Sequence, residues 1–318
     1  MKIYIHTKFQ NTEIQAFKEA LSPKYEVIIK DELPSENQKA QFLDADICYG
    51  NPPLDWANET TKLAWLQLNS AGLDPYQQLI DYQFKLTNLK GYFGQSVAET
   101  TVAGILAVYR KIDELTRLQT QKQWVGTPIR ETLHLLHKAK VLILGSGAIG
   151  LKVKKLLSGF ECDTTVLNSK TISQITEYLP DTDILISTLP DTSETRGLVS
   201  KAYLEMLKPT ALFVNVGRGT NVDEKALIEV LQANRIMGAV LDVTEVEPIP
   251  NNSVLWEMEN VLLTQHSSGG WMEESSGKVK FFLENLERFE RGEELLNIVD
   301  LKKRILSKWK EQIYNYQI

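Results

Sequence analysis

Near its middle the chain reads Lys140-Val-Leu-Ile-Leu-Gly-Ser-Gly-Ala-Ile-Gly150. A short, mostly apolar run typical of a buried strand passes directly into the spacing G-x-G-x-x-G, and an apolar helical pattern follows. In such a turn Gly145 permits the tight bend, Gly147 lets a pyrophosphate approach the backbone, and Gly150 allows the helix to pack closely on the strand. The free N–H groups at the helix start attract the anion. The stretch therefore predicts a dinucleotide-binding turn.

The residues after the next predicted strand bear on which dinucleotide binds. A carboxylate that holds the ribose hydroxyls of NAD is expected roughly 20 residues after the glycines. This sequence has Asn168 there, followed by Ser169 and Lys170. Without that negative charge a 2′-phosphate is not repelled, Ser169 can hydrogen-bond it, and Lys170 can neutralise it. The pattern favours NADP, while a polar turn that tolerates NAD remains an open alternative.

Short strand patterns alternate with helical segments on both sides of the glycine-rich turn. Before it they fall at residues 3–5, 25–29, 45–49, 63–68 and 85–87, and after it they recur as far as residue 264. Such alternation encodes parallel sheets covered by helices. The length of 318 residues suggests two domains with a cleft between them. We therefore predict an α/β fold with two doubly wound parallel-sheet domains, joined by one long helix over residues 96–123. Residues 124–138, which follow this helix, form either an extended arm or a plain surface loop.

Composition excludes several classes of protein. The formal net charge is -6 and no dense Lys/Arg stripe occurs, so nucleic acid is not an expected partner. No uncharged apolar run approaches the roughly 18 residues of a membrane span, and no signal core opens the chain. The two cysteines, Cys48 and Cys162, lie far apart in apolar runs, which indicates buried reduced thiols and a cytoplasmic location. His6, His134 and His137 have no Cys or carboxylate companions at metal-ligand spacing, so no metal is predicted.

Ionisable residues follow three later strands of the second alternation. Arg218 lies in Asn215-Val-Gly-Arg-Gly219, Glu247 in Leu241-Asp-Val-Thr-Glu-Val-Glu-Pro248, and His266 in Leu263-Thr-Gln-His-Ser267. Reducing a ketone by hydride leaves an alkoxide that needs a proton, which a histidine can supply near neutral pH. A carboxylate such as Glu247 would favour the imidazolium and hold the ring, provided the two side chains meet. The guanidinium of Arg218 can pair with a substrate carboxylate and polarise its C2 carbonyl.

Taken in order, these motifs closely resemble the D-isomer-specific 2-hydroxyacid dehydrogenase family, and the glyoxylate/hydroxypyruvate reductases within it. The resemblance is densest from Val97 to Gly269, and before that only Asn69-Ser-Ala-Gly-Leu-Asp74 is distinctive. It implies a catalytic set of Arg218, Glu247 and His266, with Asp242 beside the nicotinamide. Substrate binding is assigned to Gly50, Asn51, Ser70, Ala71 and Gly72. The expected cofactor-binding residues are Gly145, Ser146, Gly147, Ala148, Ile149, Gly150, Asn168, Ser169, Lys170, Leu189, Pro190, Thr195, Val216, Gly217 and Asp242.

The family's architecture implies a Rossmann cofactor domain, residues 98–289, inserted into a flavodoxin-like substrate domain, residues 1–97 plus 290–318. It also implies a homodimer formed through the cofactor domain, for which the arm around Trp124 is suited, and closure of the domains around the substrate. The expected reaction interconverts a small 2-keto acid, such as glyoxylate, hydroxypyruvate or pyruvate, with its D-2-hydroxy acid. The rival hypothesis is a corepressor-like protein of the same fold that senses the dinucleotide without turning it over.

The sequence departs from the family pattern in two places. Gln265 occupies a position that is usually proline before the catalytic histidine, which is expected to loosen that loop. The stretch between Lys170 and Ile184 is short, which predicts a more open adenine side of the site. Whether Tyr49, Gly50, Asn51 and Trp271 line the substrate pocket or belong to the core or rim stays open on sequence alone.

Overall fold

The structure, a computed structural model, describes residues 1–9, 11–21, 24–79 and 81–301. It divides into two compact units, one made of residues 1–92 and 271–318 and the other of Phe93–Gly270. The boundaries predicted from sequence lay at 97/98 and 289/290. Both boundaries between the two units in the structure lie earlier in the chain than these. Residues 302–318 of the predicted substrate domain lie outside the described residues.

The first unit contains a five-stranded parallel sheet. Its strands are β1 (Lys2–Ile5), β2 (Glu26–Ile29), β3 (Ile47–Tyr49), β4 (Trp65–Gln67) and β5 (Lys85–Thr87), and its helices are α1 (Asn11–Leu21), α2 (Ser35–Leu43), α3 (Leu54–Glu59) and α11 (Glu274–Glu290), numbered along the chain. The spatial order is β2-β1-β3-β4-β5 and all pairs are parallel. This is the flavodoxin-like order, and it confirms the predicted class of the domain.

Helix α11 belongs to this first unit because of its apolar stripe. Val279, Phe282 and Leu286 recur at three- and four-residue steps and are buried against Ile3 and Trp65. The ring of Phe282 stacks on that of Trp65 with centroids 5.2 Å apart. Such burial of aromatic surface explains why the chain returns to the first unit directly after residue 270.

The second unit contains a six-stranded parallel sheet. Its strands are β6 (Lys140–Leu144), β7 (Asp163–Leu167), β8 (Ile184–Ser187), β9 (Leu212–Asn215), β10 (Gly238–Leu241) and β11 (Val261–Leu263), and its helices are α4 (Gly94–Tyr109), α5 (Ile112–Thr120), α6 (Thr127–Arg130), α7 (Ala148–Leu157), α8 (Ile175–Tyr178), α9 (Lys201–Glu205) and α10 (Glu224–Gln232). The order is β11-β10-β9-β8-β6-β7. Separate apolar clusters cover the two faces of the sheet, so the Rossmann-type prediction is confirmed.

The single long helix predicted for residues 96–123 is wrong. The structure has α4 and α5 instead, separated at Lys111, whose φ of 52° is left-handed and cannot continue a right-handed helix. Helix α4 lies on the sheet of the second unit, where Gly104 is close enough to Val240 that a Cβ would sit 2.7 Å from its Cγ1. Apolar periodicity continues across the break, which is why the sequence pattern did not reveal it.

None of the helices in the described ranges combines the length and the apolarity needed to span a membrane. Among the described residues, Cys48 and Cys162 are both free cysteines. The pKa of each thiol is raised by burial, which makes them poor thiolate nucleophiles.

Candidate active site

The glycine-rich turn follows β6 at the point where the strand order of the second sheet reverses. Gly145 has a φ of +111°, and a Cβ added there would lie 2.5 Å from Thr188 Oγ1 on the loop after β8. A Cβ at Gly150 would lie 2.1 Å from the carbonyl oxygen of Gly145. Both positions therefore require glycine for the fold of the turn itself.

Gly147 differs from these two glycines because its missing side chain faces open space. A Cβ added there meets no heavy atom within 4 Å, and Gly147 is the N-cap residue of α7. Ser146, Gly147 and Ala148 are exposed, whereas Ile149 is half-buried. The first N–H groups of a helix lack intrahelical partners and carry the positive end of its dipole. The turn thus offers an accessible cradle that fits a pyrophosphate.

The residues predicted to choose between NAD and NADP lie at the end of β7, the outermost strand on this side. The Asn168 carboxamide oxygen accepts the backbone N–H of Lys170 at 2.9 Å, and the Asn168 backbone N–H donates to Thr171 Oγ1 at 3.0 Å. Asn168 is therefore occupied in shaping the turn. Ser169 and Lys170 are exposed, and their side chains are accessible at the edge next to the glycine turn.

The loops after β8 and β9 complete this edge of the sheet. A Cβ at Gly217 would lie 2.5 Å from the carbonyl oxygen of Leu189, so the two loops touch, and Val216 is buried beside them. The carbonyl of Pro190 accepts from Thr195 Oγ1 at 2.6 Å and from the Asn221 carboxamide at 2.9 Å. The Thr195 hydroxyl, predicted to bind cofactor, thus donates within its own loop.

His266 and Glu247 meet directly. Nδ1 of His266 lies 2.6 Å from Oε2 of Glu247, and Oε1 of Glu247 accepts the backbone N–H of Thr244 at 3.1 Å. The imidazole side chain is 52% exposed and the carboxylate 35%. With Nδ1 directed at the carboxylate, Nε2 is the ring atom available to a substrate.

Arg218 lies on the loop adjacent to this pair, because β9, β10 and β11 are neighbours and parallel. Its backbone N–H donates to the Asn221 carboxamide oxygen at 3.0 Å, and its carbonyl accepts from the Asn215 carboxamide at 3.0 Å. A Cβ on the following residue, Gly219, would lie 1.9 Å from the carbonyl oxygen of Thr244. The loop of Arg218 therefore contacts the loop of Glu247, so the three predicted catalytic residues stand on three neighbouring loops at one sheet edge.

Asp242 ends β10 and is buried, with 4% of its surface exposed. Its Oδ1 accepts from Thr264 Oγ1 at 2.7 Å and from the backbone N–H groups of Ser267 and Ser268 at 3.1 and 3.2 Å, and its Oδ2 accepts the hydroxyl of Ser268. Sequence reasoning placed Asp242 beside the cofactor but missed these bonds to the loop of His266. Serine and threonine are common in loops, so no pattern marked them.

Gln265 and His266 both adopt left-handed backbone conformations, with φ of 54° and 52°. For residues other than glycine each such conformation costs about 1–3 kcal/mol. Proline, whose ring holds φ near about −65°, is incompatible with the conformation of Gln265. The observed backbone at residue 265 therefore excludes proline there, and the loop is hydrogen-bonded to Asp242.

The predicted substrate-binding residues gather at the carboxyl edge of the first unit's own sheet. Gly50 follows β3 with a φ of +124°, and the Asn51 carboxamide oxygen accepts the Asn69 backbone N–H at 2.9 Å. After β4 the Ser70 hydroxyl donates to the carbonyl of Gly72 at 2.9 Å. The Ala71 carbonyl accepts from the Asn88 carboxamide, and the Asn69 carboxamide donates to Thr7 Oγ1. Thr7 and Asn88, which the sequence did not single out, also follow strands of this sheet.

Tyr49, Trp271 and His6 each pack against an aromatic side chain. Tyr49 is fully buried and stacks on Phe9 with centroids 5.8 Å apart, so it belongs to the core. Trp271 is 37% exposed beside Tyr92. The His6 ring packs edge-on to Trp56, and burial lowers the pKa of His6 to about 4. Within the described ranges no group of three or more His, Cys, Asp or Glu residues is arranged to hold a metal ion.

Comparison with known proteins identifies the family of the chain. The model of the family "D-isomer specific 2-hydroxyacid dehydrogenase, NAD binding domain" matches residues 102–268. A glyoxylate reductase of Thermofilum pendens is 32% identical over 242 residues, which cover 71% of each chain. A glyoxylate/hydroxypyruvate reductase A of Citrobacter koseri is 26% identical over 291 residues, 86% of this chain and 90% of the relative. A D-isomer specific 2-hydroxyacid dehydrogenase of Xanthobacter autotrophicus, solved with NADPH and MES, is 26% identical with a TM-score of 0.77 and coverage of 95% and 98%.

The glycine turn yields a paired prediction. Gly147→Ala should leave the melting temperature within experimental error, because its Cβ points into open space, yet weaken dinucleotide binding at least about tenfold by obstructing the pyrophosphate. Gly150→Ala should lower the melting temperature instead, because its Cβ collides with the carbonyl of Gly145. Differential scanning fluorimetry and quenching of tryptophan fluorescence by NADPH provide the two readouts. Unchanged binding in a folded Gly147→Ala protein would contradict the assigned cradle.

Proposed function

Because the chain belongs to the D-isomer-specific 2-hydroxyacid dehydrogenase family and is an NAD(P)-dependent oxidoreductase of 2-keto and 2-hydroxy acids, we propose a specific reaction for it. In this reaction it reduces glyoxylate, hydroxypyruvate or pyruvate to the 2-hydroxy acid of D configuration. The observation that carries the proposal is the 2.6 Å contact between His266 Nδ1 and Glu247 Oε2, at the same sheet edge as the glycine turn. The relatives named glyoxylate reductase support the choice of small keto acids.

His266 is the proposed general acid in the reductive direction. A bound nicotinamide supplies the hydride that adds to C2 of the keto acid. The protonated imidazole then gives its Nε2 proton to the developing alkoxide, while the other proton stays on Nδ1 and is donated in a hydrogen bond to the carboxylate of Glu247. Glu247 stabilises the imidazolium before the transfer and holds the ring plane during it. In the reverse direction neutral Nε2 takes the hydroxyl proton back.

Arg218 is the proposed electrophilic partner. Its backbone is held on both sides by Asn215 and Asn221, both almost completely buried, so the side chain begins from a rigid loop. A guanidinium there can pair with the substrate carboxylate and stabilise negative charge on the C2 oxygen. Gly50, Asn51 and residues 70–72 are the proposed contacts of the substrate from the first unit, an assignment that depends on the family resemblance and on their shared strand edge.

NADP is the proposed cofactor, with NAD as the weaker alternative. The support is the exposed Ser169 and Lys170 after β7, together with the absence of a carboxylate at Asn168. The solved relative with bound NADPH is consistent with this choice. A free 2′-phosphate carries about two negative charges, which an acidic residue at position 168 would repel.

We further propose a homodimer that works in the cytoplasm. Trp124 is 96% exposed and Leu135 is 70% exposed on the segment between α5 and β6, and large apolar side chains in such positions mark interaction surfaces. The family resemblance supplies the partner, a second copy of this chain. The two free cysteines are consistent with a reducing compartment.

The reaction is tested by following NADPH absorbance with a panel of 2-keto acids. Wild-type protein should consume NADPH, whereas His266→Ala and Arg218→Ala should each lower kcat/KM by about 10²–10⁴-fold, because general acid catalysis and oxyanion stabilisation are each worth that much. The matched control is His137→Ala, which lies outside the site. NADPH binding without turnover of any keto acid in the wild type would favour the dinucleotide-sensing alternative instead.

Cofactor choice has its own test. Lys170→Ala should weaken NADPH binding about tenfold while changing NADH binding less than about twofold, because only the 2′-phosphate pairs with this side chain. Lys155→Ala, on the exposed side of α7, serves as the control. Equal effects of Lys170→Ala on both cofactors would refute the assignment of Lys170.

The oligomeric state is tested by light scattering after size-exclusion chromatography. Wild type should have twice the mass of one chain, and Trp124→Ser with Leu135→Glu should shift it toward the monomer by removing apolar surface from the interface. Leu151→Glu, equally an exposed apolar position but on α7, is the control. A wild-type monomer would overturn the dimer proposal.

A further inference from the structure

His266 lies in a tight turn, in which the backbone N–H and the hydroxyl of Ser267 both donate to the carbonyl of Thr264, at 3.1 and 2.6 Å. Residues 265 and 266 are consecutive left-handed positions without glycine, a conformation that L-residues enter only when surrounding contacts compensate for it. The loop's exposed residues offer little packing, since Gln265, His266 and Ser267 are all at the surface. Its conformation must therefore be set by hydrogen bonds.

Besides the bonds within the turn, the hydrogen bonds that join this loop to the neighbouring strand β10 converge on Asp242. The carboxylate of Asp242 accepts from Thr264 Oγ1 and the backbone N–H of Ser267 on one oxygen, and from the Ser268 hydroxyl on the other. The backbone carbonyl of Asp242 accepts the N–H of His266 at 2.6 Å. Residues on both sides of the left-handed pair are thus tied to a single residue at the end of β10.

The burial of Asp242 favours this one conformation of the loop. Asp242 and Ser268 are each 4% exposed, and the part of the chain that the structure describes shows no ion pair to Asp242. A buried carboxylate is tolerated only when donors compensate its charge, and here the loop supplies them. Any other conformation of the loop would leave the buried carboxylate of Asp242 without these donors, so such conformations are disfavoured.

We propose that Asp242, Thr264 and Ser268 form a positioning network that fixes the His266 ring against Glu247, so that the neutral imidazole stays in its Nδ1–H tautomer with Nε2 free to exchange a proton with substrate. The inference rests on the proposed function for its catalytic consequence. Asp242, Thr264 and Ser268 act through His266 and are positioning residues, and removing them loosens the ring without removing a reacting group.

The experiment removes the donors rather than Asp242, because Asp242 is also expected near the cofactor. In Thr264→Val/Ser268→Ala both hydroxyl donors are lost with little change in volume. The expected result is a fall in kcat of about tenfold or more, with NADPH affinity and KM changed less than about twofold. Thr182→Val is the matched control, because it deletes another buried hydroxyl of the same unit, which donates to Tyr178, and it should leave kcat unchanged.

The tautomer of His266 is read in cofactor-free protein by long-range ¹H–¹⁵N NMR at alkaline pH, where imidazoles are neutral. The chain has four histidines, so a His266→Gln spectrum identifies the resonance. Wild type and Thr182→Val should show the Nδ1–H form, and the double variant a mixture of tautomers. If the double variant does not fold, Thr264→Val and Ser268→Ala are measured singly.

An unchanged kcat and tautomer in the folded double variant would overturn the proposal, as would a parallel loss of NADPH affinity, which would place the network's effect on the cofactor. If wild-type protein reduces no 2-keto acid, the proposed function fails, and the NMR comparison alone still decides whether the network orders the ring.

Discussion

The contact between His266 Nδ1 and Glu247 Oε2 depends on a constraint of parallel sheets, in which all strands end at one edge. Because β10 and β11 are neighbours, residues 19 positions apart in the chain can pair, and because β9 lies beside them the loop of Arg218 joins the pair. Gly219 makes that approach achievable, since any side chain there would collide with Thr244. The glycine turn after β6 occupies the same edge, so the topology brings it to the same side of the sheet as the His266–Glu247 pair.

Much of this arrangement was accessible from sequence because the signals were local. A strand followed by three spaced glycines defines the cofactor turn, and short apolar runs define the two parallel sheets. The roles predicted for Arg218, Glu247 and His266 rest on their order at successive strand ends and on the family resemblance. The pairing of Glu247 with His266 was conditional on the fold, and the structure brings the two side chains into contact.

The features that could not be predicted from the sequence depend on contacts that no periodic pattern encodes. The break between α4 and α5 requires a left-handed Lys111 within an uninterrupted apolar pattern. The bonds from Thr264 and Ser268 to Asp242 join common loop residues across two strands. Thr195 carried a predicted cofactor role, but its hydroxyl donates to the carbonyl of Pro190 in the same loop. In each case tertiary packing selected one of several conformations that the local sequence allows.

The reaction proposed for this sheet edge transfers a hydride from bound NADPH to C2 of a 2-keto acid. It is tested most directly by supplying hydroxypyruvate with NADPH that carries deuterium at the transferring position of C4 and recording the NMR spectrum of the glycerate formed. We expect glycerate with deuterium at C2 and, in a second run in deuterated solvent with ordinary NADPH, none at that carbon. Product without label at C2 from the deuterated cofactor, or with label drawn from the solvent, would contradict hydride transfer.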